Sequence, residues 1–209
     1  MNDKTKSILP KRKSPRLKNY DYSNSGVYFV TICTQDRKRL LSKIVKVNDP
    51  FLCKMIVPNT VGEPLAAPEN NQTQQTVRVQ SQHISYHENY KVVLTPIGET
   101  AREQILDLEK RYNNVKVKAY VIMPDHIHIL IDLCTDEGAA SGSPTLSTVV
   151  RAFKSIMSRK SKQHFGTERL FQRSYFDHII RDREDYDVRL RYIHENPMKW
   201  YYRETNTNS

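Results

Sequence analysis

The sequence predicts an α+β fold, a mostly antiparallel central sheet with helices packed on it. Three observations predict it. Short runs rich in β-branched and aromatic residues recur at 26–34, 90–96, 115–123 and 126–133. Longer segments with apolar residues at helical spacing occupy 97–112, 146–165 and 183–196. The pair Pro124-Asp125 joins two strands directly, a connection too short for parallel partners.

Taken in order, residues 1–19 form a flexible arm broken by Pro10 and Pro15. Gly26 to Thr34 reads as a buried strand, and the mixed, basic 36–47 as a turn and short edge strand. The stretch at about 49–89 carries Pro58, Pro64 and Pro68, then Glu69-Asn-Asn-Gln-Thr-Gln-Gln75. Its polarity and prolines mark a surface insertion. Tyr90 to Pro96 is a short strand. Thr95 caps the helix 97–112 with Pro96 in its first turn, and Ile97, Ala101, Ile105 and Leu108 make its core face. Strands over 115–123 and 126–133 follow, then a loop at 136–144. In the helix 146–165, Val149, Phe153, Ile156 and Lys160 share one side. A short strand lies within 172–181, and a last helix over 183–196 stops at Pro197. Alternating strands and helices in this order, with the helices on one face, describe a ferredoxin-like sandwich. The expected organisation is an arm (1–19) and a single catalytic domain (20–204).

The chain is long enough, at 209 residues, for one domain with a real core. No apolar run of about 18 residues is present, so no membrane span is expected. Nor is there an apolar leader, and the three cysteines (Cys33, Cys53, Cys134) are scattered and odd in number. A cytoplasmic protein with reduced thiols is expected. The net charge is +10, and +6 of it sits in residues 1–18, where Lys4, Lys6, Lys11, Arg12, Lys13, Arg16 and Lys18 face only Asp3. Such a local excess points to a polyanion, with nucleic acid favoured over membrane because no amphipathic helix accompanies it. The helix 146–165 contains Arg151, Lys154, Arg159, Lys160 and Lys162 and no acid. Ordinary solvated faces mix signs, so this one favours phosphate contact.

The chemistry centres on His126-Ile127-His128. Alternation along a strand projects both imidazoles to one face, with Ile127, Ile129 and Ile131 on the other, and two imidazoles held so can grip one metal ion. In the last helix, Tyr186, Leu190 and Ile193 form the apolar stripe. Tyr192 and Asn196, four apart, lie together on another face beside Arg189. Two readings of these residues stand on spacing alone. Tyr192 can be a nucleophile and Asn196 an amide ligand, or Tyr192 can pack at the core margin with Asn196 capping the helix before Pro197. Likewise, the histidines can be a metal site or accidental neighbours. Tyr175, Tyr186, Tyr201 and Tyr202 are alternative nucleophiles, and His178 an alternative ligand.

Several segments resemble one known family: Lys-Asn-Tyr-Asp-Tyr (18–22), Tyr-Phe-Val-Thr-Ile-Cys-Thr (28–34), Val-Ile-Met-Pro-Asp-His-Ile-His (121–128), Phe-Gln-Arg-Ser-Tyr-Phe-Asp-His-Ile-Ile-Arg (171–181) and Tyr-Ile-His-Glu-Asn-Pro-Met-Lys-Trp (192–200). They are similar to the REP-associated tyrosine transposases, within the single-tyrosine His-hydrophobic-His (IS200-like) transposases. The resemblance covers about 18–48 and 90–200. It implies a single-strand DNA endonuclease and strand transferase acting at DNA hairpins. It further implies that His126, His128 and Asn196 hold a divalent ion, Mg²⁺ or Mn²⁺, and that Tyr192 forms a 5′-phosphotyrosine. No nucleotide cofactor is implied, and a monomer is expected rather than a homodimer. DNA contacts are expected, from charge alone, at Lys11, Arg12, Lys13, Arg16 and Lys18 of the arm and at Arg151, Lys154 and Arg159. Two other classes compete: a non-catalytic hairpin DNA or RNA binding module, and a metal-dependent hydrolase with no covalent step. The histidine-tyrosine set favours the transposase, because a pure binder has no use for it.

Overall fold

The computed structural model describes residues 25–47, 89–134 and 144–207. The arm residues Lys11, Arg12, Lys13, Arg16 and Lys18, nearly all of the 49–89 segment and most of 136–144 lie outside the described residues.

Among the described residues, six strands and three α-helices follow in order: β1 (Gly26–Cys33), β2 (Ser42–Lys46), β3 (Tyr90–Leu94), α1 (Pro96–Arg111), β4 (Val115–Ile122), β5 (His126–Leu133), α2 (Leu146–Phe165), β6 (Phe176–Ile179) and α3 (Arg183–Thr207). The main sheet has the order β4-β5-β1-β6, and every neighbouring pair is antiparallel. Leaving aside β2 and β3, which pair with each other as a separate ribbon, the chain runs strand-helix-strand-strand-helix-strand. That is the ferredoxin-like arrangement the sequence predicts.

Each element forms for a legible reason. β1 is central, paired on both sides, so its apolar run is buried on both faces. The Thr95 hydroxyl accepts the Gly98 amide at 3.1 Å and starts α1. Thr145 caps α2 in the same way, and Gly166 ends that helix in the left-handed conformation at φ +65°. Tyr28, Val30, Ile32 and the β5 isoleucines join Ile97, Ala101, Ile105 and Leu108 of α1 and Val149 and Phe153 of α2 in the larger core. Full burial of one such side chain is worth about 1.5–3 kcal/mol.

Three expectations need correction. The helices do not share one face: α3 packs against Phe29, Ala119, Val121, Met123 and Leu130 on the side opposite α1 and α2. The physical reason is that β1, β4 and β5 are apolar on both faces, and the second face needs a cover. On α2, Met157 rather than Ile156 is fully buried, because the stripe runs through Val149, Val150, Phe153, Met157 and Ser161. Third, α3 does not stop at Pro197 but continues to Thr207 with that proline inside it. A proline within a helix removes one hydrogen bond and costs ~3 kcal/mol. Packing offsets this: Pro197 is itself buried. Tyr201 and Tyr202 lie 5.1 and 5.6 Å from the Tyr90 ring, and Arg39 pairs with Glu204 at 2.6 Å. The last turns thus cover the β2–β3 ribbon.

Candidate active site

His126 and His128 occupy the face of β5 that α3 covers, opposite Cys33 and Thr31 of β1. Their rings meet edge to face at 4.6 Å. Each ring is oriented through Nδ1. That of His128 hydrogen-bonds the Thr31 hydroxyl at 2.8 Å, and that of His126 the Asp125 carboxylate at 2.5 Å. Holding Nδ1 in this way presents Nε2 to the site, as hydrogen-bond partners commonly do for metal-binding histidines. Burial, with the charges of His126 and Arg37 adding to it, keeps the His128 imidazole well below its ordinary pKa. The neutral form, which is the ligating form, is therefore favoured. Burial alone would raise the Asp125 carboxyl. The hydrogen bond and charge of His126, with Arg37, outweigh it and hold that carboxyl below its usual range.

Arg37 reaches Asp125 at 3.6 Å and donates to the Cys33 sulfur at 3.2 Å. It does so from a turn in which Asp36 and Arg37 both have left-handed φ, 54° and 55°. Such angles cost ~1–2 kcal/mol per residue outside glycine.

From the other side, α3 supplies Tyr192, Asn196 and Trp200, spaced four apart on one helical face. The Tyr192 ring sits 5.2 Å from His128, and the Trp200 ring 5.8 Å from His126. Asn196, one turn from each, therefore lies between them over the histidine pair. Phe29 stacks on His128 at 5.0 Å and meets Tyr192 at 5.9 Å. Arg189 lies over Phe29 at 5.7 Å, one turn before Tyr192. Lys199 approaches the Tyr192 ring at 5.9 Å. Tyr192 remains 38% exposed.

Two polar atoms here are buried without a hydrogen-bond partner: Nε2 of His128 and Nδ2 of Asn196. Leaving such groups unmade costs about 1–3 kcal/mol each. Turning the Asn196 amide about its last bond puts Oδ1 where Nδ2 stands. Two imidazoles and an amide oxygen would then converge, a donor set suited to a borderline or hard divalent ion. Among the described residues no group of three His, Cys, Asp or Glu side chains is placed to hold a metal.

Of the alternative nucleophiles, Tyr186 packs in the α3 core, Tyr175 is buried against α2, and Tyr201 and Tyr202 lie tilted against the Tyr90 ring. His178 hydrogen-bonds Asp185 at 2.6 Å instead of joining the pair on β5. Of the α2 cations, Arg151 and Arg159 are exposed, but Lys154 is not free for phosphate. Its ammonium donates to the carbonyls of Gln172, Arg173 and Ser174 at 2.6, 2.8 and 3.3 Å. Sequence reasoning missed Thr31, Asp125, Phe29 and Trp200. Trp200 was readable from the spacing 192, 196, 200 once α3 is allowed past Pro197.

A ferredoxin-like sheet bearing a histidine pair opposite a helical tyrosine defines a class. A family model for IS200-like transposases matches residues 78–196, more than half of the chain. The chain belongs to the IS200-like transposase family, whose members are DNA-processing enzymes. It is 23% identical over 215 residues to an uncharacterised Haemophilus influenzae protein, covering 96% of each chain. A second Haemophilus influenzae protein, assigned as a REP-associated tyrosine transposase, is 34% identical over 90 residues, 41% of this chain and 51% of that one. Among solved structures, similarity extends to a REP-associated tyrosine transposase bound to a REP hairpin. That match has 17% identity and a TM-score of 0.44, over 83% of this chain and 67% of that one. A protein assigned as a transposase from Deinococcus radiodurans R1 matches at 13% identity and a TM-score of 0.39, over 87% and 96%. No helix among the described residues is long and apolar enough to cross a membrane.

Proposed function

We propose that the protein is a REP-associated type of tyrosine transposase, which nicks single-stranded DNA beside a hairpin and rejoins it through a covalent tyrosine intermediate. The observation that carries this reading is the Tyr192 ring 5.2 Å from His128, whose buried Nε2 lacks a partner. In this reading His126, His128 and Asn196 hold a divalent ion, Mg²⁺ or Mn²⁺. When bound, that ion would polarise the scissile phosphate and offset the charge that develops on it.

The chain's own residues do the rest. Tyr192 Oη attacks phosphorus as its phenolic proton departs. The P–O3′ bond breaks, the 3′ oxygen leaves as a hydroxyl, and a 5′-phosphotyrosine remains. That link keeps the phosphodiester energy, so a 3′-hydroxyl can reverse the step or join a new strand without a nucleotide cofactor. Asp125 and Thr31 hold the imidazole orientations. Arg189, one turn from Tyr192 and ion-paired with Asp185 at 3.3 Å, lies over the Phe29 ring that packs on His128. The basic arm, Arg151 and Arg159 contact DNA, and the protein acts as a cytoplasmic monomer.

The test mixes the protein with end-labelled hairpin oligonucleotides carrying single-stranded flanks, with Mn²⁺ or Mg²⁺, and resolves it on a denaturing protein gel. A labelled protein band that requires metal and disappears in Tyr192→Phe is expected. A Tyr192→Phe variant that cleaves at the wild-type rate would refute the covalent mechanism in favour of water attack. Hairpins that shift on a native gel without any adduct would leave a binding module.

A further inference from the structure

We infer that the groove between α2 and residues 169–175 is a track for the sugar-phosphate backbone of DNA, with Arg151, Arg169 and Arg173 as its phosphate contacts. The inference leans on the proposed function only for the polymer's identity.

The groove has a volume of about 490 Å³. Ser147, Arg151, Ser155 and Ser158 line it from α2, and Arg169 and Arg173 from the segment that leads into β6. All three arginines are exposed, and none has an ion-pair partner among the described residues. Neither α2 nor the 169–175 segment contains an acid. Several arginines elsewhere are ion-paired: Arg102 with Glu99, Arg183 with Asp187, Arg189 with Asp185. An unneutralised cluster on one groove repels itself and does nothing for the folded state. A polyanion removes that repulsion.

The groove is also built in advance of any ligand. The Lys154 ammonium ties α2 to the opposite wall through the three consecutive carbonyls described above, fixing Arg173 across from Arg151. Burial, helped by the nearby Arg169 charge, lowers the Lys154 pKa. So Lys154 is the clasp of the groove, and the arginines are its contacts. Guanidinium forks and serine hydroxyls both donate to phosphate oxygens.

The recognition is of backbone rather than bases. The two aromatic rings of the groove, Phe171 and Tyr175, are 4% and 9% exposed. They form its floor and offer no free face on which a base could stack. The wall is anchored to the catalytic end of the sheet. Gln172 N–H donates to the Cys33 carbonyl at 2.9 Å, Phe171 bridges to Thr34, and Cys33 is the register partner of His126. DNA held in the groove is thus held at the end of the sheet that carries the histidine pair.

The test measures hairpin DNA binding by fluorescence anisotropy across a KCl series in EDTA, in a Tyr192→Phe background so that nothing is cut. In the Arg151→Ala/Arg169→Ala/Arg173→Ala triple variant, the slope of log K against log salt should fall by about 2–3. Affinity at 0.1 M salt should drop on the order of 100-fold. The loss should be equal for hairpins of matching and unrelated sequence, and the corresponding triple lysine variant should keep most of the slope. An unchanged slope overturns the inference. So does a loss confined to one sequence, a lysine variant as weak as the alanine one, or an RNA hairpin that shows the larger slope change. Cleavage is absent from this assay. An unchanged slope therefore leaves the nuclease reading standing, and a missing tyrosine adduct leaves the groove standing.

Discussion

Asp185 holds the His178 ring and the Arg189 guanidinium at once, and this sets the position of Arg189. Its carboxylate accepts His178 Nε2 at 2.6 Å and Arg189 Nε at 3.3 Å. Burial would raise its pKa. The hydrogen bond and charge of His178, the Arg181 amide and the Arg189 guanidinium prevail, so the folded pKa lies below the ordinary 3.8. A carboxyl depressed in the folded state contributes stability above its unfolded pKa and loses it as pH falls through the folded value. Asp185→Asn keeps the shape and removes the charge. In urea titrations the wild type should exceed the variant at pH 7, and the gap should close as pH drops below 3.8. A gap that persists unchanged to pH 2.5 would mean the carboxylate is not held by these partners. Residues of this kind are poorly legible in a sequence. His126 and His128 announce themselves by alternation, but Asp125, Thr31 and Lys154 act through partners that only the fold brings near. Lys154 looked like a phosphate contact because a charge run does not reveal which cations backbone carbonyls already occupy.

Among the elements, α1 is fixed most tightly where it begins. The Thr95 hydroxyl donates to the Leu40 carbonyl at 2.6 Å, and its amide donates to the Leu41 carbonyl at 3.0 Å. A Cβ added at Gly98 would stand 1.9 Å from that Leu41 oxygen, so the helix start and the 40–41 backbone approach as only glycine permits. Alanine would gain ~1 kcal/mol of helix propensity there. The forced backbone shift costs more, so Gly98→Ala should be net destabilising by about 2 kcal/mol, lowering the melting temperature by roughly 4–8 °C. Gly166→Ala is the comparison: nothing lies within 4 Å, and only the left-handed φ opposes it. It should cost about 1 kcal/mol. Calorimetry that finds Gly98→Ala melting at or above Gly166→Ala would contradict the close-approach account. The sequence shows the Thr95 cap of α1 because capping is local chemistry. It does not show how α3 ends, because the repayment for Pro197 is tertiary: Tyr90, Arg39 and the ribbon lie far away in the chain. Ending α3 early hid Trp200 and left a helix cap as one of the two readings of Asn196.

At the scale of the whole molecule, the ribbon β2–β3 shows what the 48–88 segment connects. Lys46 is the register partner of Tyr90, and Val47 N–H donates to the Asn89 carbonyl at 2.7 Å. The segment therefore leaves and re-enters the fold at facing residues of one antiparallel pair, where a two-residue turn would serve. The site needs the ribbon: Tyr201 and Tyr202 pack on Tyr90, and they hold the end of the helix that carries Tyr192, Asn196 and Trp200. It has no such need of the segment itself if the polar composition at 69–75 means what it says. Replacing 48–88 with Asn-Gly shortens the closed loop by roughly four doublings. At ~0.6 kcal/mol each, that should stabilise the fold by about 2 kcal/mol. The shortened protein should unfold at higher urea and still form the tyrosine adduct on hairpin DNA. A shortened protein that is stable yet forms no adduct would make the segment part of the DNA-handling machinery. A shortened protein that unfolds would show that the segment covers core which the ribbon and α3 leave open.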